Sequence, residues 1–123
     1  MKLYRVIIPV SDINLATLFY QKVLNLEGNR VSDGRHYFDC GGTILACFDP
    51  KADGDEFEAR PNPDHVYLAT VNLEETYTNI KNWNASLIVD PINTQPWGEK
   101  TLYVKDPFGN PLCFVDEKTV FTG

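Results

Sequence analysis

Residues 5–15, RVIIPVSDINL, and residues 65–75, HVYLATVNLEE, are two versions of one pattern, set 60 positions apart. In each, a short apolar run leads to a small polar residue, Asp12 or Asn72, and then to a segment with helical spacing. A second match follows: ILACF at 44–48 aligns with PLCFV at 111–115 when Leu45 is set on Leu112, an offset of 67. A repeat at this distance divides the chain into two halves of one design before any fold is considered.

Working outward from the repeat, the run Tyr4–Val10 is β-branched and short, as a strand requires. Asp12 can cap the helix that follows, where Ile13, Ala16, Phe19, Tyr20, Val23 and Leu24 form one apolar stripe at three- and four-residue spacing. Asn72 and Glu75 repeat that start as a capping pair, with Glu74 favourable in the first turn. Three strand candidates come after each helix: Gly28–Ser32, Arg35–Cys40 and Thr43–Phe48, then Ser86–Asp90, Lys100–Lys105 and Leu112–Asp116. Asp33-Gly34, Gly41-Gly42 and Asp106–Asn110 mark the turns between them. The order βαβββ, twice, gives an α+β domain with a first module over 1–48, an acidic linker over 49–64 and a second module over 65–123. Pro9 lacks a ladder donor, so its strand lies at an edge or carries a bulge.

A chain of 123 residues that is 43% hydrophobic can bury a core without staples. Cys40, Cys47 and Cys113, an odd number at wide spacing, read as reduced thiols and not as a disulfide framework. The absence of a leader pattern and of any membrane-length apolar run gives a cytoplasmic expectation with no membrane partner. Seventeen acids against eleven bases disfavour nucleic acid as a partner. Residues 49–64 hold six of those acids and two of the bases, which reads as a solvated connection; a calcium loop starting at Asp49 is excluded because Arg60 falls where the closing Glu belongs.

The stretches IIPVSDINLATLFYQKVLNLEG, HVYLATVNLEETYTNIK and PWGEKTLYVKDPFGNPLCFVDE resemble the vicinal oxygen chelate superfamily, which includes glyoxalase I, bleomycin-resistance proteins, fosfomycin-resistance enzymes and extradiol dioxygenases. With the repeat they cover nearly the whole chain. The resemblance implies two βαβββ modules forming an open, curved mixed sheet around a cavity, commonly in a homodimer. Strand alternation then sends Val6, Ile8, Val10, Val66 and Leu68 toward the helices, and Arg5, Ile7, His65, Tyr67 and Ala69 toward the cavity. The same parity is expected to place His36, Phe38, Ala46, Phe48, Tyr103 and Cys113 on the concave side, with Trp97 at its rim.

In the enzymes of this superfamily a divalent metal sits in the cup on four strand positions, and it acts as a Lewis acid toward a bidentate oxygen substrate. Residue by residue, those positions correspond here to Arg5, Ala46, His65 and Cys113, of which only His65 matches the pattern. An arginine cannot ligate and an alanine has no donor atom, so no metal and no cofactor is expected; if a metal bound, His65 and Cys113 would hold it. Arg5 calls for a partner, either an anionic ligand or an internal acid such as Asp39 or Glu99, the internal acid being taken first. The reading that follows is metal-independent binding or sequestration of a small molecule, as in bleomycin-resistance proteins, with antibiotic resistance as the implied role. The expected contacts are Arg5, Ile7, Phe38, Phe48, His65, Tyr67, Trp97, Tyr103 and Cys113, with no catalytic residue and the ligand's charge left open. The alternative is a metal-dependent glyoxalase-type lyase or extradiol-type dioxygenase whose divalent metal would have to recruit His36, Asp39 or Glu99.

Overall fold

The first apolar run forms strand β1, Arg5–Pro9, and the stripe after it forms helix α1, Ile13–Leu24. The structure is a computed structural model that describes the whole chain, residues 1–123. Strands β2, Asn29–Ser32, β3, Arg35–Cys40, and β4, Thr43–Phe48, complete the first half. The second half has the same order: β5, Val66–Thr70, α2, Leu73–Asn84, β6, Ile88–Thr94, β7, Lys100–Lys105, and β8, Pro111–Asp116. Two compact units result, Met1–Asn62 and Pro63–Gly123. Each is a helix on a four-stranded mixed sheet, in the orders β1-β4-β3-β2 and β5-β8-β7-β6. Neither sheet closes into a barrel, and no helix is long and apolar enough to cross a membrane.

Local chemistry explains the element starts. The Asp12 carboxylate accepts from Leu15 N at 3.1 Å and opens α1; the Asn72 side chain accepts from Glu75 N at 3.1 Å and opens α2. Glu75 completes its cap by accepting from the Asn72 amide at 3.4 Å rather than from the backbone N–H of the usual capping box. Pro9 is tolerated because β1 is an edge strand of its sheet. Gly41 and Gly42, at φ +66° and +101°, make the two-residue hairpin loop between β3 and β4, where both central residues need positive φ. In unit 1 the core packs Ala16, Phe19 and Tyr20 of α1 against Ile8, Phe38, Leu45 and Cys47 of the sheet. In unit 2, Leu73 and Ile80 of α2 pack with Leu102, Val104, Leu112 and Phe114.

Most strand ends fall within one residue of expectation, but the sixth strand and the acidic segment differ more. The sixth strand begins at Ile88, two residues late, because Asn84 Oδ1 accepts from both the backbone and the hydroxyl of Ser86 and holds Ala85–Leu87 in a 3-10 turn. It then runs on to Thr94, through Pro91, as an edge strand with two register shifts. The start of the acidic segment is also not a free connection. Asp49 is buried; its carboxylate accepts from Ile13 N and Ala52 N, both at 3.2 Å, and so gives α1 a second cap. Asp53 reaches the β2–β3 turn, accepting from the Ser32 hydroxyl at 2.9 Å and from Gly34 N at 2.6 Å, with Arg35 Nε at 3.5 Å.

The Ser32 hydroxyl first and, against an opposing effect of burial, the Gly34 N–H and Arg35 hold the Asp53 carboxyl below its ordinary value of 3.8. A carboxylate whose folded value is depressed adds stability that is complete above its unfolded value and lost as pH falls through the folded one. The difference in urea midpoint between the wild type and Asp53→Ala should therefore be constant near neutrality and shrink below about pH 4. A gap that stays constant into acid would show that the carboxylate charge plays no part in holding the turn.

Candidate functional site

Paired residues on neighbouring strands point the same way, so the registers sort the side chains of each sheet into two faces. In unit 1 Arg5 pairs with Ile44, Ile7 with Ala46 and Pro9 with Phe48 on the β1–β4 side. Across β3–β4, Ile44 meets Asp39, Ala46 meets Tyr37 and Phe48 meets Arg35. One face therefore carries Arg5, Ile7, Ile44, Ala46 and Phe48 with Asp39, Tyr37 and Arg35. The opposite face carries Val6, Ile8, Leu45 and Cys47 together with His36 and Phe38, and packs on α1.

This corrects the placement of Phe38 and His36. Phe38 is fully buried, 6.2 Å from Tyr20 of α1 between ring centroids and 4.9 Å from His36, and is core rather than a cavity wall. His36 is 6% exposed; its Nε2 lies 3.0 Å from Glu27 O and its Nδ1 accepts from Arg30 Nε at 3.4 Å. The residues that do share the face with Ile7 and Phe48 are Tyr37 and Arg35, which the sequence reading missed. Their signal was present, because the two-glycine loop pairs Cys40 with Thr43 and so sets odd-numbered β3 residues opposite even-numbered β4 residues.

Arg5 also differs from expectation. It is exposed, and its guanidinium lies 5.1 Å from the ring centroids of both Tyr4 and Tyr37 instead of against a carboxylate. Asp39, one of the two acids considered, accepts instead from Gly42 N at 2.7 Å. Glu99, the other, accepts from the Trp97 indole at 2.8 Å and from Phe121 N at 3.0 Å, contacts that hold its carboxyl below the usual range, the Phe121 N–H most strongly. Arg35 sits 4.2 Å above the Phe48 ring, and its Nη1 donates to the Tyr37 hydroxyl at 3.3 Å.

In unit 2 Tyr67 pairs with Cys113 and Cys113 with Tyr103, which puts the three on one face. His65, just before β5, stands edge-on to Tyr103 at 5.3 Å and 6.2 Å from Tyr67. The Tyr103 hydroxyl bonds with Tyr67 and Cys113; burial first, then these neighbours, push its pKa upward. Burial likewise raises the fully buried Cys113 thiol to about 11, which the Tyr103 hydrogen bond offsets in part and the Glu99 charge reinforces. At neutral pH the Tyr103 hydroxyl and the Cys113 thiol of this face thus keep their protons. Trp97 follows β6 in the turn 95–98, half-exposed at 49% and fixed through its indole to Glu99.

The four positions that would hold a divalent metal do not fit one. Arg5 brings a cation, Ala46 no donor, and Cys113 a thiol whose burial opposes the thiolate a metal needs. His36, Asp39 and Glu99 are engaged elsewhere, and nowhere do three His, Cys, Asp or Glu side chains converge.

Comparison with known proteins agrees with this architecture. The chain aligns over 92% or more of its length with structures of similar size. A glyoxalase-related enzyme from Fulvimarina pelagi is 16% identical, with a TM-score of 0.76 over 100% of this chain and 93% of its own. The lactoylglutathione lyase from Agrobacterium tumefaciens is 22% identical, with 0.71 over 95% and 94%. A superfamily member from Sphaerobacter thermophilus is 23% identical, with 0.70 over 95% and 98%. At these identities the likeness is one of fold. No curated protein sequence matches the chain. The sequence model of the Glyoxalase/Bleomycin resistance protein/Dioxygenase superfamily matches residues 2–114, and the chain belongs to that superfamily.

Proposed function

We propose that the chain binds a small aromatic molecule reversibly and without a metal, on the aromatic sheet faces described above, and withholds it from its target as bleomycin-resistance proteins do. The observation that carries this reading is the aromatic patch of unit 2. His65, Tyr67 and Tyr103 offer ring faces, Tyr67 is 59% exposed, and no charged donor set stands among them. Flat ligands gain from stacking on such rings and from covering apolar surface. The Tyr103 hydroxyl keeps its proton and is engaged with Tyr67 and Cys113, which holds its ring in place as a stacking surface. The protein is proposed to act in the cytoplasm as a homodimer.

Fluorescence titration with 2-naphthoate and 2-naphthamide, with and without EDTA, tests this. Saturable binding of at least one compound, unchanged by EDTA and weakened roughly three- to tenfold by Tyr67→Ala, is the expected result. Binding that disappears with EDTA and returns on adding a divalent metal would overturn it.

A further inference from the structure

The aromatic face of unit 1 carries a guanidinium that nothing neutralises. Arg5 forms no ion pair and no hydrogen bond; its contacts are the π faces of Tyr4 and Tyr37. Ring contacts restrain the guanidinium plane while leaving its N–H donors without acceptors, the state in which arginine takes a bidentate oxyanion. Arg35, on the same face, differs in that Asp53 already matches its charge at 3.5 Å. It nevertheless shapes the site, because its Nη1 donates to the Tyr37 hydroxyl at 3.3 Å. A hydroxyl that accepts from a cation keeps its own proton free and more strongly polarised for donation. Tyr37 therefore contributes on two sides, its ring lying 5.1 Å from the Arg5 guanidinium and its O–H being available to an acceptor. Beside Arg5 on this face stand Ile7, 37% exposed, and the half-buried Phe48, apolar side chains that a flat body can cover.

We infer that this face binds a planar aromatic monocarboxylate, its carboxylate on the Arg5 guanidinium and the Tyr37 hydroxyl and its ring over Ile7. A monoanion fits better than a phosphate, since there is one unmatched cation, Asp39 and Asp53 lie close by, and the chain's net charge is −6. The inference rests on the proposed binding of aromatic compounds and adds the chemical class.

The test compares 2-naphthoate, 2-naphthamide and 2-naphthyl phosphate by isothermal titration, with backbone NMR shifts to locate the site. Naphthoate is expected to bind about tenfold or more tightly than the amide, since a charge-assisted hydrogen bond is lost. Arg5→Met should abolish that preference, Arg5→Lys should keep only part of it, and Tyr37→Phe should weaken naphthoate severalfold, all with unchanged thermal stability because Arg5 is exposed. Shifts that naphthoate causes and the amide does not should be confined to residues near 5–7, 35–37 and 46–48. Equal affinity for acid and amide, or a preference that survives Arg5→Met, overturns the carboxylate assignment while leaving aromatic binding in place. Tighter binding of the phosphate assigns the site to dianions and overturns it too. If none of the three compounds binds, both readings fall.

Discussion

Phe38→Ala should lower the unfolding free energy by about 3–5 kcal/mol, the cost of removing a buried phenyl ring and leaving a cavity. The ring is fully buried between Tyr20 and His36, and α1 itself rests on that cluster through Tyr20 and Phe19, whose rings meet edge-on at 5.0 Å. Partial collapse of the site is blocked because the backbone of Gly28 already presses on it: a Cβ built there would stand 2.8 Å from Phe38 Cδ1 and 2.6 Å from Tyr37 O. The same substitution should leave naphthoate affinity unchanged in the folded fraction, since the ring faces α1 and not the Arg5 face. Urea denaturation followed by fluorescence, paired with titration at low denaturant, reads both quantities. A loss of affinity with little loss of stability would restore Phe38 to the binding surface and reverse the face assignment made from the register. Tyr37→Ala is expected to show the opposite pattern.

That contrast shows where the sequence was legible. The repeat around Asp12 and Asn72, the capping chemistry and the apolar stripe of α1 sufficed to read two βαβββ units, because caps and periodicity are local properties. The faces of β1, β5, β7 and β8 were readable for the same reason. Phe38 was misplaced because alternation gives a face only relative to a neighbouring strand. An apolar Phe beside an apolar Leu45 carries no sign of which side is the core, whereas the Gly41-Gly42 loop does, by fixing the Cys40–Thr43 pair. Arg5 was misjudged from the expectation that a cation seeks an acid. Two tyrosine rings flank it instead, one of them on β3 and invisible until the register was known. The tertiary roles of Asp49 and Asp53 were hidden in an acidic run that, by composition, resembles solvated linker.

Asp106→Ala is the second change expected to be severe, at about 3 kcal/mol or more, because it strands buried N–H groups that now bond a carboxylate. Asp106 is 1% exposed and Asn110 fully buried. Within the turn between β7 and β8, Asp106 Oδ1 accepts from Phe108 N at 2.9 Å and Asn110 N at 2.8 Å, and Oδ2 accepts from Asn110 Nδ2 at 2.9 Å. The backbone closes the same loop through Asp106 N to Asn110 O at 2.9 Å and Gly109 N to Asp106 O at 3.1 Å. This turn fixes where β8 begins: Lys105 pairs with Pro111, and the register that follows brings Tyr103 opposite Cys113. The damage should therefore reach the candidate site, and an Asp106→Ala protein that folds should lose the raised thiol of Cys113, whose burial depends on that pairing. Asp106→Asn is expected to cost less, since one oxygen still accepts, but not nothing, since its amide would oppose that of Asn110. Denaturant midpoints and the pH dependence of Cys113 alkylation, measured with Cys40 and Cys47 replaced by serine or alanine, check both. A midpoint within about 1 kcal/mol of wild type together with unchanged alkylation would show that the β7–β8 register is held by the strands themselves and not by the turn.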